Sequence, residues 1–165
     1  MAVPDVVLAL LRGGPRHGYE VKHEHDAWFP DARPLAFGQV YATFGRLQRD
    51  GLVEVVETRS AGAPERTVYG LTRAGRDRLD AWLAEPAPPG SDEIVRKAVA
   101  ALRTGAGAAA YLSAQRSAHL RAMRELAGRP PDADLAARLG REHTLAHLDA
   151  DLRWLERAAD LVEGT

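Results

Sequence analysis

The sequence predicts a mainly α-helical chain with one small β-hairpin, and three observations support this fold class. Apolar residues recur at helical spacing over most of the 165 residues. Two β-prone runs, at residues 53–59 and 65–71, flank a loop that contains glycine and proline, which is the pattern of a hairpin. Residues 86–90 are rich in proline and divide the chain, because they cannot continue a helix. We therefore expect a mixed first part and a helical second part.

The composition is that of an ordinary globular protein and excludes several other classes. Hydrophobic residues make up 45% of the chain and charged residues 27%. The chain has no cysteine, so it cannot form a disulfide framework or a thiolate metal site. No apolar run approaches the roughly 18 residues that span a bilayer, and the first residues lack the basic start of a secretory signal. We expect a cytoplasmic protein with no membrane partner.

The charge balance gives no support to nucleic-acid binding. Residues 1–85 contain 11 Lys and Arg against 12 Asp and Glu, and residues 86–165 contain 11 against 11. A nucleic-acid-binding domain usually has a basic excess or a basic face. Because basic and acidic residues are nearly equal in number, a basic face can form in this chain only where basic residues cluster locally.

Residues 1–85 are predicted to form four helices around the hairpin, at about residues 5–12, 17–29, 36–50 and 73–85. In the third helix, Val40, Phe44 and Leu47 lie at i, i+4 and i+7 and can face a core. Gly51 follows where a helix end favours a positive φ, and Thr72 is the predicted N-cap of the fourth helix. A helix that leads into a hairpin is the centre of a winged helix-turn-helix, so double-stranded DNA is the first partner to consider.

Residues 91–165 are predicted to form helices at about 92–103, 108–127 and 132–162, after a linker at 86–90. The last helix contains a seam in which apolar residues alternate steps of three and four, formed by Leu145, Leu148, Leu152, Leu155, Ala159 and Val162. A soluble monomer rarely exposes such a stripe. We expect this helical domain to form a homodimer through the seam. Helix 108–127 of the same chain could bury the seam instead, and both could contribute.

Several motifs, in their order and spacing, resemble the PadR family of bacterial transcriptional regulators. They are Gly18-Tyr19-Glu20, Gln39-Val40-Tyr41, Arg46-Leu47, Asp50-Gly51-Leu52-Val53, Tyr69-Gly70-Leu71-Thr72, and Gly75-Arg76 with Leu79, Trp82 and Leu83. The resemblance covers nearly all of residues 3–85, and the second part resembles the longer members by architecture. It implies a homodimeric winged-helix repressor that leaves its operator when a small molecule binds. The chain departs from the common pattern at Ala42, Phe44 and Gly45.

DNA contacts are expected from the third helix, the second helix and the hairpin. Gln39, Thr43 and Arg46 share one stripe of the third helix and suit base edges, because Arg pairs with guanine and Gln with adenine. The further candidates, for phosphate or groove contacts, are Tyr19, Lys22, Tyr41, Arg49 and Arg66, the last facing Arg59 across the hairpin. The alternatives are a solvated helix face, an internal partner for the Tyr41 hydroxyl, a surface role for Lys22, and pairing of the hairpin arginines with Glu57 or Glu65.

Histidine and tryptophan residues suggest other sites. His143 and His147 are one helical turn apart and could chelate zinc beside a third ligand, but residue 144 is Thr where a His-Glu-x-x-His motif has Glu. We expect no metal, cofactor or catalytic residue. Trp82 and Trp154 are expected in the core and are the candidates for an effector cavity, for which the sequence identifies no ligand.

The predicted function is a ligand-responsive, DNA-binding transcriptional regulator, a homodimeric repressor of an inverted-repeat operator. The alternative is a winged-helix adaptor that binds proteins instead of DNA, which the neutral charge favours. A metal-dependent enzyme is the third alternative.

Overall fold

The computed structural model describes residues 3–59, 66–130 and 134–164, with the side chains of residues 58, 59 and 66 left out. The chain separates into two compact units, Met1–Ala84 and Glu85–Thr165. Within the described residues, no helix has the length and apolar character needed to cross a membrane.

The first unit contains four helices and a small antiparallel sheet. In chain order, the elements are α1 (Val3–Leu10), β1 (Arg16–His17), α2 (Gly18–Trp28), α3 (Phe37–Arg49), β2 (Val53–Arg59), β3 (Arg66–Leu71) and α4 (Arg73–Ala84). The strand order is β1-β3-β2, so β2 and β3 form the predicted hairpin and β1 extends it. The predicted winged helix-turn-helix is confirmed, and β1, with two residues, was too short to produce a sequence pattern.

The core of this unit surrounds α1, in which every residue except Asp5 is apolar. Val6, Val7 and Leu8 have no exposed surface, and Phe44 of α3 is equally buried. Because α1 lies in the middle of the unit, α2, α3 and α4 each bury their apolar stripe against it or against one another.

The end of α3 and the start of α4 meet at one junction. Gly51 has a φ of 69°, as predicted for the residue after a helix. The Thr72 hydroxyl donates to the carbonyl oxygen of Gly51 at 2.7 Å and accepts the Gly75 N–H at 3.0 Å, which confirms Thr72 as the N-cap of α4. A Cβ atom on Gly75 would lie 2.0 Å from the carbonyl oxygen of Leu52, so only glycine permits this approach.

The second unit consists of α5 (Glu93–Arg103), α6 (Ala108–Ala127) and α7 (Leu135–Glu163). Two contacts of 3.2 Å, the Arg116–Glu156 ion pair and the hydrogen bond between His119 Nε2 and Asp151, join α6 to α7. Later residues of α6 pair with earlier residues of α7, so the two helices are antiparallel.

The apolar seam of α7 is covered within the single chain. Leu148 and Leu155 are 0% and 1% exposed, and Leu145 and Leu152 are half-buried. Because α6 packs along α7, the expectation that Leu145, Leu148, Leu152 and Leu155 form a dimer interface is wrong for the two buried leucines. The second way of covering the seam, by helix 108–127, is the one found.

Residues 85–90, which we call the strap, are held to all three helices of the second unit. Lys97 of α5 donates to the carbonyl oxygen of Glu85. The side chain of Gln115 in α6 accepts the N–H of Ala87 at 2.7 Å and donates to its carbonyl oxygen at 2.8 Å. The N–H of Gly90 donates to Asp151 of α7 at 2.7 Å. The proline-rich segment is thus fixed to this unit by the buried side chains of Lys97 and Gln115 and by the half-buried Asp151.

Candidate nucleic-acid interface

Asp26 fixes the turn that brings α2 to α3. Its carboxylate accepts the Leu35 N–H at 2.9 Å, pairs with Lys22 at 2.6 Å and contacts His25 Nδ1 at 3.1 Å. Burial by itself would raise the pKa of Asp26, but the hydrogen bonds from Lys22, the Leu35 N–H and His25 lower it to about 2. The carboxylate is therefore charged over the whole physiological range and ties the start of α3 to α2.

The core-facing stripe of α3 is wider than the sequence suggested. Val40, Thr43, Phe44 and Leu47 are all buried. Thr43 has no exposed surface, and its hydroxyl donates to the carbonyl oxygen of Gln39 at 2.7 Å. The expectation that Thr43 contacts DNA is wrong, because a hydroxyl bound to the preceding helical turn can be buried at little cost.

The side of α3 opposite the core carries three small residues followed by an arginine. Gly38, Ala42, Gly45 and Arg49 lie at i, i+4, i+7 and i+11, and all four are exposed. We call this row the outer stripe. A Cβ atom on Gly38 or Gly45 would meet no described atom within 4 Å, and neither residue has a positive φ. Neither the backbone conformation nor the packing of the described residues requires glycine at these positions.

Hydrogen-bonding side chains lie along one edge of the outer stripe. Gln39 and Arg46 are both exposed and are two helical turns apart. Arg46 reaches back to the Thr43 hydroxyl at 3.4 Å, and Arg49 donates to the carbonyl oxygen of Gly45 at 3.2 Å. These long side chains lie along the helix and leave their remaining N–H donors toward solvent.

Aromatic side chains lie along the other edge. Tyr41 is 54% exposed and packs against the first residue of α2, since a Cβ atom on Gly18 would lie 2.9 Å from Tyr41 Cε1. Phe37, in the first turn of α3, is 42% exposed. The sequence analysis did not include Phe37 among the candidate residues. Its position two residues before Gln39, a predicted DNA contact, could have indicated it.

Tyr19 and Lys22 of α2 both contact Phe37. The rings of Tyr19 and Phe37 stack with centroids 5.9 Å apart, and Lys22 Nζ lies 5.4 Å from the centre of the Phe37 ring. Tyr19 is 56% exposed, whereas Lys22 is half-buried by its pairing with Asp26. The structure therefore brings Tyr19, Lys22, Gln39, Tyr41, Arg46 and Arg49 to one surface of the first unit.

The hairpin contributes a candidate whose side chain lies outside the described residues. The backbones of Arg59 and Arg66 are register partners across β2 and β3, so the predicted facing pair is confirmed at the level of the backbone. The loop at residues 60–65 also lies outside the described residues.

The other candidate residues belong to α4 and α7. His143 and His147 of α7 approach each other to 3.1 Å between their Nε2 atoms. No group of three or more His, Cys, Asp or Glu among the described residues is arranged to hold a metal ion. Trp82 is 6% exposed and Trp154 is half-buried.

The chain is similar to solved structures of Bacillus subtilis PadR. It is 22% identical to that protein in complex with operator DNA, with a TM-score of 0.49, covering 95% of this chain and 97% of the other. It is 20% identical to that protein in complex with p-coumaric acid, with a TM-score of 0.43, covering 98% of this chain and 96% of the other.

The sequence is similar to one curated relative and to one family model. The chain is 31% identical over 89 residues to the probable transcriptional regulator Rv1176c of Mycobacterium tuberculosis, covering 54% of this chain and 47% of the relative. The chain thus spans about half the length of the curated relative it matches. Residues 7–81 match the model of the transcriptional regulator PadR-like family. Residues 7–81, within the winged-helix unit, are thus similar to the PadR-like family of transcriptional regulators.

Proposed function

We propose that this regulator binds double-stranded operator DNA with the outer stripe of α3 in the major groove. The observation that carries the proposal is the pair of exposed glycines, Gly38 and Gly45, inside a helix. Gly45, in the helix interior, costs about 1 kcal/mol of helix stability relative to alanine, and Gly38, in the first turn, is also a poorer helix former than alanine. Since a Cβ atom at either position would meet no described atom within 4 Å, packing within the described residues gives no reason for the cost. Close approach of a partner to the helix backbone would be a reason for having glycine at these positions.

The size of the major groove supports DNA as that partner. A helix with its side chains is about 10–12 Å across, and the major groove is about 12 Å wide. A row of small side chains on the outer side of α3 lets the helix enter more deeply. Gln39 and Arg46 on one edge would then face base edges, while Arg49, Tyr19, Lys22 and Arg66 would contact phosphates.

We further propose that the regulator is a homodimer and that α7 supplies the interface through a face different from the one expected. Leu148 and Leu155 are buried by α6, whereas Leu135, Leu139 and Leu161 are 69%, 63% and 75% exposed on the opposite side of α7. Leu135 and Leu139 are one helical turn apart, and Leu161 lies near the other end of α7; exposed leucines of this kind favour contact with a second copy. Two α3 helices about 34 Å apart would match successive major grooves, so the operator would be an inverted repeat.

A protein-binding adaptor is the second candidate, and the neutral charge of the first unit favours it. With 11 basic and 12 acidic residues in residues 1–85, the unit has little general attraction for a polyanion. An adaptor would not bind any DNA sequence selectively, whereas a regulator must bind its operator selectively.

The test is selection of duplexes from a random library by the full-length protein, together with a gel shift on the DNA upstream of its own gene. Arg46→Ala is expected to lose about 1–3 kcal/mol of affinity for the selected sequence and much less for random DNA. The matched control is Arg121→Ala, which removes an exposed arginine from α6. Equal losses on both DNAs would show that Arg46 touches only phosphate, and no selected sequence would favour the adaptor.

A further inference from the structure

Three aromatic side chains are exposed side by side where α2 and α3 begin. Tyr19, Phe37 and Tyr41 retain 56%, 42% and 54% of their accessible surface. The Tyr19 and Phe37 rings are stacked with an angle of 16° between them, and Tyr41 lies against Gly18, the residue before Tyr19. Aromatic surface that is exposed as a group, and not singly, marks a place where a partner binds.

Phe37 differs from the other two because it has no hydrogen-bonding group. It lies in the first turn of α3, on the edge of the outer stripe opposite Gln39. In a helix-turn-helix, the N-terminal residues of this helix contact base edges. A side chain at this position that can neither donate nor accept a hydrogen bond can recognise only an apolar group.

The position of Phe37 is fixed before any partner binds. Tyr19 stacks on its ring at 5.9 Å, and Lys22 Nζ lies 5.4 Å from the ring centre. Lys22 is in turn paired with Asp26 at 2.6 Å, the carboxylate that fixes the turn before α3. A side chain held in this way loses little conformational entropy on binding.

The major groove offers one apolar group for such a side chain. Among the base edges exposed there, only thymine carries a methyl group, and phenylalanine is one of the side chains that contact it. We propose that Phe37 contacts the C5 methyl group of a thymine in each operator half-site. The inference rests on the proposed DNA binding and names a base that the regulator recognises.

The experiment removes the methyl group from the DNA and the ring from the protein. Each thymine of a selected operator is replaced in turn by deoxyuridine, which lacks only that methyl group. At one thymine in each half-site, we expect the replacement to weaken binding by the full-length wild type about 3- to 10-fold. Phe37→Ala is expected to weaken binding to the unmodified operator by a similar factor and to show no further loss with deoxyuridine at that thymine.

Two variants separate this contact from a general effect on the protein. Phe37→Leu keeps an apolar side chain and is expected to retain part of the dependence on the methyl group, which a misfolded α3 would not. Leu102→Ala removes a side chain that is 57% exposed in α5 and is expected to leave the dependence unchanged.

The outcomes distinguish this inference from the proposed function. If Phe37→Ala and deoxyuridine weaken binding by independent factors at every thymine, or if no thymine responds, the contact is wrong while operator binding stands. If the wild type selects no sequence, the proposed function and the contact are both wrong.

Discussion

At the scale of single residues, Asp26 connects two parts of the helix-turn-helix. Its carboxylate binds a side chain of α2 and the backbone of the turn before α3. It also supports Phe37 indirectly, since the same carboxylate holds Lys22 beside the Phe37 ring. A charged group in this position couples the geometry of the candidate interface to pH.

The stability of the first unit is expected to fall at acidic pH because of Asp26. Its pKa is about 2 in the folded chain, below the ordinary value of 3.8. A lowered folded pKa stabilises the fold above the unfolded pKa, and the stabilisation is lost as the pH falls from about 4 to about 2. The shift corresponds to about 2 kcal/mol. Urea unfolding across this range measures it.

Asp26→Asn is expected to unfold more easily at neutral pH and to lack this part of the acid dependence. Asp31→Asn, at an exposed position in the same turn, is the control and should keep it. An acid dependence that is unchanged in Asp26→Asn would contradict the assignment.

The glycines of the outer stripe predict opposite effects on stability and on DNA binding. Gly45→Ala is expected to raise the free energy of unfolding by about 0.5–1 kcal/mol, because alanine is the better helix former and the added methyl meets no described atom. The same methyl group should weaken operator binding by obstructing close approach. Unfolding curves and gel shifts on one preparation measure both effects.

The control for this variant is available in α7. Gly140 is also exposed inside a helix with open space around it. Gly140→Ala should therefore stabilise the chain to a similar degree without affecting DNA affinity. If Gly45→Ala binds the operator as well as the wild type, the glycine is not there for close approach.

At the scale of elements, periodicity predicted the helices, the hairpin and the cap at Thr72, because these depend on residues near one another in the sequence. The burial of Thr43 was missed, since apolar spacing marks the centre of a buried stripe and not its width. The sequence allowed two ways of burying Leu148 and Leu155, by a second copy of the chain or by helix 108–127. It could not decide between them, because the spacing of apolar residues does not show which helix packs on them. The sequence predicts a linker at residues 86–90, and it does not show the contacts that hold this segment, because Gln115 and Asp151 lie far along the chain.

The two faces of α7 are expected to respond differently to substitution. Leu139→Arg places a charge on the exposed face and should convert the proposed dimer to a monomer while leaving the fold intact. Leu148→Ala removes a fully buried side chain and should instead destabilise the chain by about 2–5 kcal/mol. Light scattering with unfolding curves separates the two effects. A wild type that is already monomeric at micromolar concentration would show that the exposed leucines have another use.

At the scale of the whole molecule, regulation requires that a ligand prefer one state of the protein over another. We expect a small molecule that binds the helical unit to weaken operator binding, with a coupling of about 1–3 kcal/mol. The half-buried Trp154 of α7 provides a fluorescence signal for such binding.

A screen of aromatic and cationic amphiphiles tests this coupling. Ligands are expected to change the fluorescence of the full protein, to leave a truncation at residues 1–86 unaffected, and to weaken operator binding by about 5- to 150-fold at saturation. A ligand that binds the full protein and leaves operator affinity unchanged would contradict the coupling, as would equal binding to the truncation.

The attachment of the strap has a consequence for proteolysis. Extended, proline-rich segments between compact units are ordinarily the first places that proteases cut. Here the backbone at Glu85, Ala87 and Gly90 is hydrogen-bonded to side chains from α5, α6 and α7, so a protease cannot draw it into an active site while those helices are folded. Cleavage after Glu85 by a glutamate-specific protease should therefore report the opening of the helical unit, and its rate should rise with urea as that unit unfolds.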